Sequence, residues 1–122
     1  MISSNIEWIL IVTGLITASM LFQFLAPAQV LRMSYGQVPA DSLGLMFARH
    51  WGLLVFCIGV LLIIAAYQPA IRVPVIVVAL VEKVALGGMI LGSSLRQRPT
   101  AVMIAVTDLV VALIYGLYLL GQ

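Results

Sequence analysis

The sequence predicts an all-α integral membrane protein, built as a four-helix bundle. Of its 122 residues, 64% are hydrophobic and only 8% are charged, whereas a soluble domain is about 45–50% apolar and about 25% charged. The mean hydropathy is +1.23, and a soluble fold of this length has too little interior to bury that much apolar surface. The length allows one domain, which we expect to extend over residues 1–122.

Four apolar stretches are each long enough to cross a bilayer, which takes about 20 residues. Short breaks that contain Pro, Gly, Arg and Gln separate them. Because backbone groups in lipid have to be hydrogen-bonded within their own segment, we predict helices rather than strands. The predicted helices extend over residues 8–26, 43–67, 73–94 and 100–120.

The first stretch has no Lys or Arg before Trp8, and Pro27 fits poorly in a cleavage site. We therefore expect an uncleaved span rather than a signal peptide. The segment 30–42 is the only sizeable predicted loop. At its end, Asp41 or Ser42 is expected to cap the second helix, because both residue types accept hydrogen bonds from the first free backbone N–H groups.

The basic residues near the helix ends predict the orientation, because Lys and Arg are enriched on the cytoplasmic side of a membrane protein. Arg32, Arg96 and Arg98 follow the first and third predicted helices, whereas only Arg72 lies at the opposite end. This distribution places both termini outside the cytoplasm.

Several functional classes are excluded by composition. The basic residues are scattered singly, so no cluster is available for nucleic-acid binding. Cys57 is the only cysteine, which excludes an internal disulfide and the quinone-linked disulfide oxidoreductases that need paired thiols. With one histidine and neither a CxxC nor an HExxH motif, we expect no structural zinc site and no metalloprotease helix.

The most informative residues are the polar ones inside the predicted spans. An Arg, Lys or Asp at the centre of a membrane helix costs roughly 2.5–3.5 kcal/mol on insertion scales. Such side chains normally face the bundle interior and find partners there. With a rise of about 1.5 Å per residue, the whole set is expected between the inner edge and the midplane of the bilayer. It consists of Gln23, Arg49, His50, Glu82, Lys83 and Asp108.

Apart from the histidine, two of these ionisable side chains are basic and two are acidic, so the formal charges balance. Glu82 and Lys83 are consecutive and point about 100° apart around their helix, so they face different neighbours. We therefore expect Glu82 to pair with Arg49. Lys83 is expected to pair with Asp108 on the other neighbouring helix.

Small residues recur beside the charges at a spacing that lets membrane helices approach closely. A further pair, Gly88 and Gly92, is expected to pack within the monomer rather than between two copies. The predicted inward stripes are Ala79, Lys83 and Gly87 in the third helix, Ala101, Ala105, Asp108, Ala112 and Tyr115 in the fourth, and Gly52 and Gly59 in the second.

The polar set has two interpretations. Ion pairs between helices can be purely architectural, fixing which helices are neighbours while adding little net stability. Ionisable residues inside a membrane are nevertheless functional by default, and this chain has several. His50 is typical of an interfacial hydrogen-bonding residue and, alternatively, of a cofactor ligand. Cys57 and the methionines are interpreted as lipid-facing or core residues.

The segment Phe47-Ala-Arg-His-Trp-Gly52, the consecutive Glu82 and Lys83, and Asp108 in the fourth helix resemble the DoxX-like group. These are small bacterial four-helix membrane proteins with a basic residue opening the second helix and polar residues in the third and fourth. The similarity extends over residues 43–121.

The resemblance implies a location in the bacterial inner membrane and association with a membrane-bound oxidoreductase or redox-stress complex. It also implies a polar core of Arg49, Lys83 and Asp108.

A shorter stretch is similar to the styrene oxide isomerase family, small four-helix haem enzymes. Arg49 and His50 lie close together near the start of the second helix, and Glu82 lies midway along the third. This resemblance implies that His50 is an axial haem ligand and that the reaction is an epoxide-to-carbonyl rearrangement.

Three functions are compatible with these observations. The first is an accessory or partner-binding subunit of a membrane redox or stress-linked system. The second is a small membrane enzyme, an isomerase or oxidoreductase, that acts on an apolar substrate. In that case Glu82 or Asp108 is the general acid or base, and Arg49 or Lys83 stabilises a developing oxyanion. The third is a proton-coupled carrier, which needs a homodimer because four helices are few for alternating access.

Overall fold

The computed structural model describes residues 3–121, which are helical almost throughout and contain no strand. Two 3-10 helices, Ser3–Asn5 and Ser94–Gln97, flank longer elements. The prediction of an all-α helical bundle is confirmed. The α-helices are α1 (Ile6–Ala18), α2 (Leu21–Leu25), α3 (Pro27–Tyr35), α4 (Ser42–Tyr67), α5 (Pro69–Leu91) and α6 (Pro99–Leu120).

Within residues 3–121, four helical segments are long and apolar enough to cross a membrane: Ile6–Leu25, which combines α1 and α2, and then α4, α5 and α6. They correspond to the four predicted spans. The main difference is at α5, which begins at Pro69 rather than at residue 73 and leaves only Gln68 between it and α4. Proline fits the first position of a helix because its missing N–H has no partner there. Pro74 therefore lies in the second turn rather than in the first.

The first span is interrupted at Ser19 and Met20. The backbone N–H of Met20 donates to the carbonyl of Thr17 at 3.2 Å, and that of Phe22 donates to the carbonyl of Ser19 at 3.1 Å. These hydrogen bonds close over three residues, as in a 3-10 helix, instead of the four of an α-helix. The interruption separates α1, which ends at Ala18, from α2, which begins at Leu21.

The prediction of a loop over residues 30–42 is wrong in its first half, where α3 extends to Tyr35. This helix buries Leu31 and Tyr35 against the bundle and exposes Arg32 and Met33. It ends at Gly36, whose φ of 72° lies in the left-handed region that glycine adopts without steric cost. We refer to the half of the bundle that contains α3 as the α3 end.

Side chains cap both ends of α4. At its start, Asp41 accepts a hydrogen bond from the backbone N–H of Gly44 at 3.3 Å, which confirms one of the two predicted caps. At its end, Nε of Arg72 donates to the carbonyl of Ala65, and one terminal nitrogen donates to that of Ala66, both at 3.0 Å. A cation also interacts favourably with the negative end of the helix dipole.

Glycines bring the first span onto α4. A Cβ atom at Gly59 would lie 2.4 Å from the backbone nitrogen of Ala18, and one at Gly14 would lie 2.9 Å from the carbonyl oxygen of Gly59. The predicted inward position of Gly59 is therefore correct. The prediction that Gly88 packs within the monomer is wrong, because a Cβ atom there would have nothing within 4 Å among the described residues.

Two apolar clusters hold the bundle together. One contains residues from all four spans, including Leu10, Leu62, Ile76 and Tyr115. The other lies at the α3 end and consists of Leu31, Tyr35, Ala48, Ile90, Ala101 and Ala105. On α5 and α6 the predicted charged residues fall between these two clusters, so the bundle has a polar layer between two apolar ones.

Candidate functional site

A cavity of about 610 Å³ lies in this polar layer, with walls from all four spans and from α3. Binding sites for small molecules typically enclose about 300–1,000 Å³ and combine apolar walls with a few polar groups. This cavity has both. Its polar lining residues are Thr17, Ser19, Gln23, Gln29, Ser34, Tyr35, Glu82, Lys83, Thr107 and Asp108.

Lys83 joins three helices at the wall of the cavity. Its side chain is buried in the inward stripe of α5, with 3% of the residue exposed. The ammonium donates to Oγ1 of Thr17 on α1 at 3.0 Å and lies 3.5 Å from Oδ1 of Asp108 on α6. The expected contact between Lys83 and Asp108 is thus present. An ammonium has three N–H donors, so one remains without an acceptor among the described residues.

The hydroxyl groups of α1 extend this polar layer into the bundle. Thr17 donates to the carbonyl of Thr13 at 2.7 Å, so its oxygen accepts from Lys83. Thr13 in turn donates to the carbonyl of Ile9 at 2.6 Å and lies 2.5 Å from the hydroxyl of Tyr115. Because a hydroxyl carries a single proton, Tyr115 is the donor in this last contact.

Glu82 lines the cavity beside this network but does not form the expected ion pair. Its Oε1 atom is buried and has no hydrogen-bond partner among the described residues. The prediction of a Glu82–Arg49 pair is wrong, because Arg49 is exposed on the outside of α4. The inward positions of that helix include Ala48 and Gly52, and the residue after Ala48 points about 100° away from it.

His50 is also exposed and does not line the cavity. It is two positions beyond Ala48, about 200° around α4. Arg49 and His50 are the eighth and ninth residues of α4, in its third turn, and the long side chain of an arginine can extend from there toward the membrane surface. The polar groups that the structure brings together are therefore Glu82, Lys83 and Asp108, without Arg49 or His50.

Gln23 is buried as expected, with 1% of the residue exposed. Its Nε2 atom donates to the backbone carbonyl of Ala48 at 2.7 Å. This hydrogen bond joins α2 to α4 next to the cavity. It also gives the buried amide of Gln23 an acceptor inside the span, where an unpaired polar group is costly.

Tyr35 and Trp51 form part of a partition between two cavities. Together with Leu86 they line both the cavity just described and a second one of about 500 Å³ at the α3 end. Burial raises the pKa of the Tyr35 phenol above its ordinary value of 10.0, and the negative charges of Asp108 and Glu82 raise this pKa further. The electrostatic field of the buried carboxylates therefore reaches α3.

Several residues of the site were not among those predicted from the sequence. Thr13 and Thr17 are four residues apart in an apolar stretch, the spacing that places two side chains on one helix face. This spacing could have identified Thr13 and Thr17 from the sequence. Tyr35, Trp51 and Thr107 carry no comparable pattern, because each is a single residue whose position depends on how the helices pack.

The cavity contains the elements of acid–base and electrostatic chemistry: two carboxyl groups, a buried ammonium and several hydroxyl groups. The described residues contain no group of three or more His, Cys, Asp or Glu side chains arranged to hold a metal ion.

Exposed apolar side chains from the first span, α3 and α6 are among the lining residues of the cavity. Phe22, Met33 and Met103 line it and are 66%, 74% and 65% exposed, respectively. Phe22 and Met103 belong to segments that are long and apolar enough to cross a membrane, where exposed apolar side chains face lipid.

Comparisons of this chain with protein-family models, curated proteins and solved structures find no match.

Proposed function

We propose that this membrane protein binds a small, largely apolar molecule inside the bundle, in the cavity beside Glu82, Lys83 and Asp108. The observation that carries the proposal is the presence of buried charged groups on the wall of a cavity of about 610 Å³. A purely architectural ion pair is best enclosed by packed side chains, because empty space beside it forgoes dispersion contacts. Empty space beside charged groups therefore indicates a binding site and not an architectural ion pair.

This proposal covers the binding step that an enzyme and a carrier share. In the enzyme hypothesis, Glu82 or Asp108 exchanges a proton with the bound substrate. Because Arg49 lies outside the cavity, stabilisation of a developing anion falls to Lys83, whose third N–H is available. In the carrier hypothesis, the same carboxyl groups are the exchange sites.

The experiment uses Trp51 as a reporter, since it lines the cavity and the chain has only two tryptophans. In a Trp8→Phe variant reconstituted in lipid vesicles, which contain no other protein, all tryptophan fluorescence comes from Trp51. Titration with para-bromophenyl butanol, a neutral molecule with a quenching bromine atom, should quench this emission saturably. A Trp51→Phe variant that retains Trp8 reports quenching from the lipid alone. Equal, non-saturating quenching in the two variants would refute the proposal.

The haem hypothesis has a separate test. His50 is on the outside of α4, so a haem on this ligand would lie against the outer surface of the bundle. The haem hypothesis predicts a Soret band in the visible absorption spectrum of the purified protein, oxidised and reduced with dithionite. This band should be absent from His50→Ala. A flat spectrum would exclude haem from the purified protein.

We propose as a second candidate that the chain is an accessory subunit, in keeping with its resemblance to the DoxX-like group. The supporting observation is the open space around Gly88 on the exposed face of α5, with Gly92 four residues later. Such spacing permits a helix from another protein to approach closely. Gly88→Leu should reduce the size of the assembly in native gels of mild detergent extracts, whereas an unchanged size would contradict this second proposal.

A further inference from the structure

The charges on the cavity wall do not balance. Glu82 and Asp108 are acidic, and among the described residues Lys83 is the only basic side chain that lines the cavity. The arginine that was expected to complete the set is exposed on the outside of α4. With all three groups ionised, the site carries a formal charge of −1, in a region where uncompensated charge is costly.

The excess negative charge belongs to Glu82. Asp108 has the Lys83 ammonium 3.5 Å away, whereas Oε1 of Glu82 is buried without a hydrogen-bond partner in the described part of the chain. Oε1 itself is closed to a molecule in the cavity, whereas the other carboxyl oxygen of Glu82 is not fully buried. A ligand that brings a positive charge and an N–H donor can therefore compensate the charge by donating to that second oxygen.

The rest of the cavity lining suits a molecule with an apolar body and a cationic end better than it suits an anion. Phe22, Tyr35 and Trp51 contribute aromatic rings to the lining, and the faces of such rings attract cations. The third N–H of Lys83 is available to an anion, but an anion would add to the existing excess of negative charge. A cation would neutralise it.

We propose that the ligand of this cavity is a lipophilic amine, bound as its ammonium ion with an N–H donated to Glu82. This inference rests on the proposed function, since it names the class of molecule that the cavity binds. The apolar part of the amine lies along the walls of the cavity, and its cationic end lies in the polar layer beside the carboxyl group of Glu82.

The test extends the Trp51 quenching experiment to three probes that differ only in the end group: para-bromophenyl butylamine, butanol and butanoate. At neutral pH the first is a cation, the second is neutral and the third is an anion. With each concentration expressed as the mole fraction of the probe in the lipid, the amine should bind at least about ten-fold more tightly than the alcohol, a factor equivalent to about 1.4 kcal/mol. The acid should bind more weakly than the alcohol.

Glu82→Gln should remove the preference for the amine, because the amide keeps the size of the side chain but not its charge. Glu7→Gln, the same change at an exposed acidic residue of α1 outside the cavity, should leave the preference unchanged. Binding of the alcohol to the Glu82→Gln variant shows whether its cavity is intact.

The possible outcomes separate the two proposals. Saturable binding of the alcohol with no preference for the amine would overturn the amine proposal and leave the binding function standing. A preference for the amine that persists in Glu82→Gln would also overturn it. Failure of all three probes to quench Trp51 saturably would refute the proposed function itself.

Discussion

Lys83 and Asp108 approach each other across the α5–α6 interface, with 3.5 Å between Nζ and Oδ1, while the same ammonium donates to Thr17 on α1. A side chain from one helix thus contacts two others, and both contacts are within the polar layer. Removing it changes the packing of three helices as well as the charge of the cavity.

Lys83→Met should therefore destabilise the protein strongly. Removing one partner of a buried pair leaves the other charge uncompensated, which typically costs about 3–5 kcal/mol. The free energy of unfolding can be measured in mixed micelles with an increasing fraction of sodium dodecyl sulfate. The double variant Lys83→Met/Asp108→Leu has no such uncompensated partner and should lose less than the sum of the two single variants. Additive losses would show that the pair is not coupled.

Gly59→Ala should destabilise the interface between the first span and α4. A Cβ atom at Gly59 would lie 2.4 Å from the backbone nitrogen of Ala18, so a helix has to shift, at a cost of about 1–3 kcal/mol. Gly88→Ala is the matched control, since its Cβ would meet nothing within 4 Å, and higher helix propensity should make it neutral or stabilising. Equal effects in the same unfolding assay would contradict the close approach at Gly59.

Tyr115→Phe should weaken the fold modestly, because it removes the hydrogen bond to Thr13 but keeps the aromatic ring. Side-chain hydrogen bonds between membrane helices contribute about 0.6 kcal/mol on average and up to about 1.7 kcal/mol. Tyr67→Phe changes an exposed tyrosine and should have no measurable effect. A double-mutant cycle with Thr13→Val isolates the pair, and a coupling energy of zero would contradict the contact.

Tyr35 should remain protonated to a higher pH than an ordinary tyrosine. Burial and the carboxylates of Asp108 and Glu82 raise its pKa above 10.0, so the folded state favours the neutral phenol. The neutral phenol of Tyr35 therefore contributes to the free energy of unfolding at pH values below the ordinary tyrosine pKa. This contribution is lost as the pH rises through the raised pKa of the folded state. The difference in tyrosinate absorbance between the wild type and Tyr35→Phe reports the titration of Tyr35. The midpoint of this difference should lie above pH 10.0. A midpoint at or below this value would contradict the predicted environment.

The sequence was sufficient for the spans and for one of the two ion pairs. Hydropathy alone located all four spans, because the bilayer requires long apolar helices. The Lys83–Asp108 contact followed from the small residues on either side of Lys83, which identify an inward helix face. The expected Glu82–Arg49 pair rested on charge balance without such a stripe for Arg49, whose neighbours at positions 48 and 52 are the inward residues.

The cavity and α3 were not predictable from the sequence by these arguments. A cavity depends on the distances between helices, which hydropathy does not contain. The helix α3 is only nine residues long and lies outside the apolar stretches, so its polar composition suggested a loop. Its buried residues, Leu31 and Tyr35, have the four-residue spacing of a helix face, but two residues make a weak pattern.

Phe22 and Met103, which line the cavity and are exposed on two of the spans, have a consequence for the potency of a ligand. A molecule that enters past these side chains comes from the bilayer and not from water, so its relevant concentration is its mole fraction in lipid. Two compounds that make equal contacts inside the bundle should therefore differ in apparent aqueous affinity by the ratio of their partition coefficients. Increasing the lipid-to-protein ratio at fixed total compound should reduce occupancy, even though no contact with the protein changes.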